Sequence, residues 1–123
     1  MTAASPRRAR GAIEPGMNEF TLQDLAARVH ERAQASAATS YTRKLIDKGV
    51  AHCAKKLGEE AVETALAAVA EDRERLIAEA ADLLYHLLVV LEARGVTIAE
   101  VEAALARRTG MSGLEEQAAR PRD

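Results

Sequence analysis

Residues 73–93 read RERLIAEAADLLYHLLVVLEA, and this stretch decides the fold. Leu76, Ile77, Ala80, Ala81, Leu83, Leu84, Leu87, Leu88, Val89, Val90 and Leu91 cover most of a helical circumference. A helix apolar nearly all round must be buried nearly all round. Either it is central in a helical bundle, or it forms an interface between subunits. The pattern favours a homodimer, with the Leu83 to Leu91 surface buried between copies.

The helix carries two acidic residues on one face, Glu79 and Asp82, at i and i+3. Like charges on an apolar helix are costly unless a cation lies between them. Before it, a second long helix is predicted over about Val50 to Ala70, with Glu59, Glu60 and Glu63 near its middle. With the turn between Asp72 and Arg73, an antiparallel hairpin places Glu63 level with Asp82. Glu60 and Glu79 then fall about 5 Å from that level. The spacing thus predicts four carboxylates converging across one helix pair. Oxygen donors with no thiolate and no obligatory imidazole suit Mg²⁺, with Mn²⁺ as a substitute. Mg²⁺ commonly shares its shell with substrate phosphates. The bland alternative is a set of surface charges making pairs four residues apart. A di-iron bundle needs Glu-x-x-His pairs, and neither pair here carries the histidine. His86 reads as a core histidine or a cavity-lining one.

Only four of the seventeen basic residues are lysines: Lys44, Lys48, Lys55 and Lys56. All precede the acidic motif, and a mobile ammonium is a good partner for phosphate. Their plainer reading is a solvated basic face.

Working outward, Thr21 is a candidate N-cap for a first helix, with Asp24 three residues on. Ser36 to Thr42 reads as a connection, and a short helix over about Thr42 to Lys48 ends at Gly49. Thr97 and Glu100 have capping-box spacing and open a helix that ends near Arg108. Ser112 and Glu115 repeat that spacing before a last short helix. No strand signal appears, and the fold class is an all-α antiparallel bundle with short loops. A disordered tail is expected over residues 1–17, with Met17 an alternative start, and the helical domain over 18–120.

The whole chain supports one such domain. It has 123 residues, 48% of them apolar, with 27 alanines and three prolines. Seventeen basic and nineteen acidic residues give a net charge of -2, which argues against nucleic-acid binding. The single cysteine, Cys53, excludes an intramolecular disulfide and a Cys-rich zinc site. No secretory signal is apparent, and the longest apolar run, Leu87 to Leu91, is far short of a membrane span. A cytoplasmic location is expected, with no membrane partner.

The spacing Glu60-x-x-Glu63 followed by Glu79-x-x-Asp82 resembles the metal motif of the MazG-like superfamily of all-α nucleoside triphosphate pyrophosphohydrolases. Its flanks, Ser40-Tyr41-Thr42-Arg43-Lys44-Leu45 with Lys48-Gly49, Lys55-Lys56-Leu57-Gly58-Glu59-Glu60-Ala61-Val62-Glu63, and Glu79-Ala80-Ala81-Asp82-Leu83-Leu84-Tyr85-His86, are similar to those of the phosphoribosyl-ATP pyrophosphohydrolase family. Arg107 to Glu116 matches as well, so the resemblance covers about Phe20 to Arg120. The basic N-terminal extension lies outside the family pattern.

The resemblance implies hydrolysis of phosphoribosyl-ATP to phosphoribosyl-AMP and pyrophosphate, the second step of histidine biosynthesis, with Mg²⁺. It implies Glu60, Glu63, Glu79 and Asp82 as metal ligands. Glu59 is the candidate for orienting or deprotonating water. Ser40, Tyr41, Lys44, Lys48 and Lys56 are the candidates for binding substrate. A separate cyclohydrolase is expected for the next step. Two rival readings remain open here. One is a related pyrophosphohydrolase acting on another nucleoside triphosphate. The other is a non-catalytic helical dimerisation module.

Overall fold

The computed structural model describes residues 19–110 together with 117, 118 and 120. The expected tail and the helix expected after Ser112 lie outside the described residues, save for 117, 118 and 120. Five α-helices follow one another: α1 (Leu22–Ala33), α2 (Tyr41–Asp47), α3 (Val50–Ala70), α4 (Arg73–Ala93) and α5 (Ile98–Arg108). There is no strand among the described residues.

Local chemistry sets the boundaries. Thr21 and Asp24 form a reciprocal capping box, each side chain accepting the other's backbone N–H at 3.0 Å. Thr97 and Glu100 do the same at α5. Asp72 accepts from the backbone N–H of Arg75 at 2.9 Å and starts α4 immediately after α3 ends. Gly49 stands between α2 and α3 at φ 101°, a conformation that a side chain disfavours. Gly95, at φ 69°, ends α4, where the N–H of Val96 reaches back to the carbonyl of Leu91 at 2.9 Å. The short helix starts one residue earlier than its sequence suggests, because Ser40 is the cap. Buried Ser40 accepts from the N–H of Arg43 at 3.1 Å and donates to the carbonyl of Arg32 at 2.9 Å. It therefore fastens α2 to the end of α1. Ser40→Ala should cost about 1–2 kcal/mol by losing both bonds. Urea unfolding of the variant measures this, and unchanged stability would show that water replaces them.

The long helices α3 and α4 form an antiparallel hairpin; α1 and α2 pack against it, and α5 packs against α1, with Ile98 reaching the core. The core gathers Val29, Leu45, Cys53, Leu88 and Val89, with Leu25, Tyr85, Leu91 and Ile98 around it. The hairpin's share of these comes from the start of α3 and the end of α4, so the core sits at the open end of the hairpin. The Cys53 thiol donates to the carbonyl of Leu45 at 3.3 Å, and burial raises its pKa.

The other half of the hairpin, toward the Glu71–Asp72 turn, leaves apolar side chains uncovered. Val62, Leu66, Val69 and Ile77 are 59%, 61%, 87% and 56% exposed, and Leu84 is partly so. This corrects one expectation. Leu88 and Val89 are spent on the chain's own core, so Leu83 to Leu91 is not a free surface. The unpartnered apolar face lies instead on the later half of α3 and the earlier half of α4. Three short helices are not enough to cover two helices of 21 residues each.

Candidate active site

The acidic residues lie midway along the hairpin, where the packed half gives way to the protruding half. Thr64, small enough to sit between the helices, fixes their register there. Its hydroxyl lies 2.7 Å from the carbonyl of Glu60 and 3.0 Å from that of Glu79. Residue 64 is thus opposite residue 79, and Glu60 comes level with about residue 83.

Glu60, Glu79 and Asp82 each offer a carboxylate oxygen within 4.8 Å of the others. Glu79 is only 6% exposed, Glu60 is half-buried and Asp82 is exposed. The three form a wall that opens to solvent at Asp82. Arg75, one turn before Glu79, reaches one of its oxygens at 3.0 Å. The other oxygen, Oε1 of Glu79, is buried with no hydrogen-bond partner, as is Oε1 of Glu60. Buried carboxylate oxygens left without donors are costly, and close like charges compound the cost. A cation among them removes both penalties. Three converging oxygen donors with an open side fit a hard divalent ion that keeps its waters and shares phosphate ligands.

Of the four carboxylates expected to converge, the structure brings together three. Glu63 is exposed and outside the cluster. A step of three residues turns a side chain about 60° around the helix from Glu60. That angle is enough to point Glu63 away while leaving it on the adjoining surface. Glu59 also faces outward, pairing with Lys56 at 3.3 Å and with Lys55 at 4.0 Å. The bond to Glu59 is the main influence holding the Lys56 pKa above its ordinary value.

His86 lies one turn beyond Asp82, buried, edge-on to Tyr85, with Nδ1 unpartnered among the described residues. Burial first, and then the Lys56 charge, lower its pKa, so the neutral imidazole is favoured. Tyr85 bonds Thr42 at 2.6 Å, tying α4 to α2 behind the site.

Beside the acidic cluster runs a basic groove of about 440 Å³, lined by Tyr41, Lys44, Lys48, His52 and Lys56 with Ala37, Leu45 and Asp47. Four of the five substrate-binding candidates thus share one groove. Ser40 is not among its lining residues; it anchors the helix that carries Tyr41 and Lys44.

Nearly all of the described region corresponds to a known family. Residues 22–109 match the family model described as phosphoribosyl-ATP pyrophosphohydrolase. The chain belongs to the phosphoribosyl-ATP pyrophosphohydrolase family. It is 64% identical over 107 residues to the phosphoribosyl-ATP pyrophosphatase of Nitrobacter winogradskyi, covering 87% of this chain and 92% of the relative. It is 64% identical over 104 residues to phosphoribosyl-ATP pyrophosphatase 1 of Bradyrhizobium diazoefficiens, covering 85% and 98%. The Rhizobium meliloti phosphoribosyl-ATP pyrophosphatase is 54% identical over 104 residues, 85% and 97% of the two chains.

In this chain the site owes much to residues whose part is not evident from the acidic motif. Arg75 was identifiable from its spacing of four residues before Glu79. His52 follows the same interval, since His52, Lys56 and Glu60 recur every four residues along one side of α3. Thr64 carried no signal, because its contact with Glu79 exists only across the hairpin.

Proposed function

We propose that the chain hydrolyses phosphoribosyl-ATP to phosphoribosyl-AMP and pyrophosphate, with Mg²⁺, as the second step of histidine biosynthesis in the cytoplasm. The observation that carries this reading is the cluster of Glu60, Glu79 and Asp82, with two buried oxygens lacking donors. It occurs in a chain 64% identical to a phosphoribosyl-ATP pyrophosphatase.

Glu60, Glu79 and Asp82 would hold the metal, and Glu63 would join them by a side-chain rotation on the same surface of α3. Bound there, Mg²⁺ supplies positive charge for the phosphate oxygens and a water of lowered pKa. The chain's own residues do the rest. Arg75 holds Glu79 in place through one oxygen and leaves the other directed into the cluster. Glu59 orients or deprotonates the attacking water. Lys56 stands between the acidic cluster and the basic groove. It exchanges its contact with Glu59 for one with the phosphates of the substrate, freeing Glu59 for the water. Tyr41, Lys44 and Lys48 bind the remainder of the substrate, on a helix held by Ser40. The exposed apolar half of the hairpin pairs with a second copy to form a homodimer.

The direct test is pyrophosphate release from phosphoribosyl-ATP beside ordinary nucleoside triphosphates, with and without Mg²⁺. Preference for phosphoribosyl-ATP that is lost on chelation supports the reading. Equal or better turnover of another triphosphate would replace it. The lysines give a second check. Lys56→Ala should chiefly lower kcat, because Lys56 is one helical turn from Glu60. Lys44→Ala should chiefly raise KM, by roughly tenfold for a lost charged contact. Unaltered kinetic constants in both would remove the lysines from the site.

A further inference from the structure

The basic groove is longer than the triphosphate chemistry requires. Along α3, a rise of 1.5 Å per residue puts Lys56 about 6 Å from Glu60 and His52 about 12 Å from it. Lys48 caps the end of α2 just before α3 begins and lines the same groove. The phosphates flanking the cleaved bond must lie at the carboxylates, and Lys56 is the basic residue within their reach. Pyrophosphate is shorter than half the span from Glu60 to His52. That span leaves His52, with Lys48 in the same groove, available to a different part of the ligand.

Their surroundings say what that part is. Arg43 occupies Asp47 at 2.8 Å, and Glu59 occupies Lys56. Lys44, Lys48 and His52 have no carboxylate within 4.0 Å among the described residues. Two ammonium groups and an imidazole thus line one concave surface whose one carboxylate, Asp47, is already paired with Arg43. Such an arrangement favours a compact anion. Phosphoribosyl-ATP has one phosphate outside its triphosphate, the 5′-phosphate of the ribose on N1 of adenine. The rigid purine holds that phosphate well away from the triphosphate. Tyr41, more than half exposed in the same groove, offers an aromatic face for the ring between the two ends.

Resting on the function proposed above, we propose that Lys44, Lys48 and His52 form a separate subsite for the 5′-phosphate of the N1-ribose. This subsite makes the enzyme prefer phosphoribosyl-ATP to triphosphates that lack that group. His52 is a specificity residue that touches substrate and takes no part in bond cleavage.

The experiment compares phosphoribosyl-ATP with N1-ribosyl-ATP, the same molecule without the 5′-phosphate, using the full chain with Mg²⁺. The wild-type protein should favour the phosphorylated substrate in kcat/KM. His52→Ala and Lys48→Gln should each reduce that preference by about tenfold, through a higher KM for phosphoribosyl-ATP. Lys48 is exposed, so Lys48→Gln does not endanger folding, and Lys48→Arg should restore part of the preference. An undiminished preference in both variants overturns the subsite. So does an equal loss on both substrates, which would place these residues at the triphosphate or in the scaffold. Failure of the wild-type chain to cleave phosphoribosyl-ATP would instead defeat the function reading, and the subsite with it.

Discussion

Glu79→Gln or Asp82→Asn is expected to reduce Mg²⁺-dependent pyrophosphate release by roughly 10²–10³ or more while leaving a folded helical protein. The scale is that of removing a fixed electrostatic group from a phosphoryl or acyl transfer site. The two changes keep side-chain size, so packing along α4 is preserved. What they remove is a negative charge needed to hold a cation. Glu79 is buried, and one of its oxygens has no donor. Its charge therefore destabilises the metal-free fold, offset only by Arg75 at 3.0 Å. Thermal stability without metal should consequently stay level or rise in both variants. Titration calorimetry should show Mg²⁺ binding weakened in step with activity. Wild-type turnover in either variant would refute the metal assignment. A collapse of helicity would show that the carboxylates serve the fold.

The largest effect on assembly is expected at the protruding half of the hairpin. The wild-type chain should sediment as a dimer at micromolar concentration, and Leu66→Glu should produce a folded monomer. Leu66 is 61% exposed in the isolated chain, with Val62, Val69 and Ile77 nearby on the same half. A monomer would leave this apolar surface in water. A two-fold pairing of hairpins would build a four-helix arrangement across the axis. A glutamate at its centre would bury an unpaired charge, at a cost of several kcal/mol. Because Leu66 makes little contact within its own chain, the isolated fold should tolerate the change. A wild-type monomer at those concentrations would remove the proposed interface.

These effects lie one turn apart on the same two helices, and they were not equally visible beforehand. The all-α fold and its helix ends follow from local signals. Thr21 with Asp24, Asp72, and Thr97 with Glu100 mark starts by satisfying backbone N–H groups within their own segments. Gly49 and Gly95 mark ends because they accept positive φ. Such interactions span only a few residues, so a linear reading captures them. The acidic motif was legible for a similar reason, since i and i+3 positions share a face whatever surrounds the helix.

The convergence was only partly legible. Glu60, Glu79 and Asp82 meet, whereas Glu63 stands outside, because side-chain direction around α3 matters as much as level along it. The register across the hairpin rests on Thr64 and the packing beside it, neither of which has a sequence signature. His52 was visible as one more histidine at the start of a helix. Its place with Lys44 and Lys48 depends on how α2 folds back beside α3.

The surface tells the same story. Composition and periodicity establish that the residue 73–93 helix is too apolar to stand in water. They do not say which of its residues the chain itself can cover. Helix formation is written in interactions between near neighbours, so the sequence by itself determined the five helices and the acidic and basic character of the site. Burial and convergence depend on distances between residues far apart in the chain. Only the tertiary structure could therefore consign Leu88 and Val89 to the core, leave Leu66 and Ile77 outside, and bring three carboxylates within 4.8 Å.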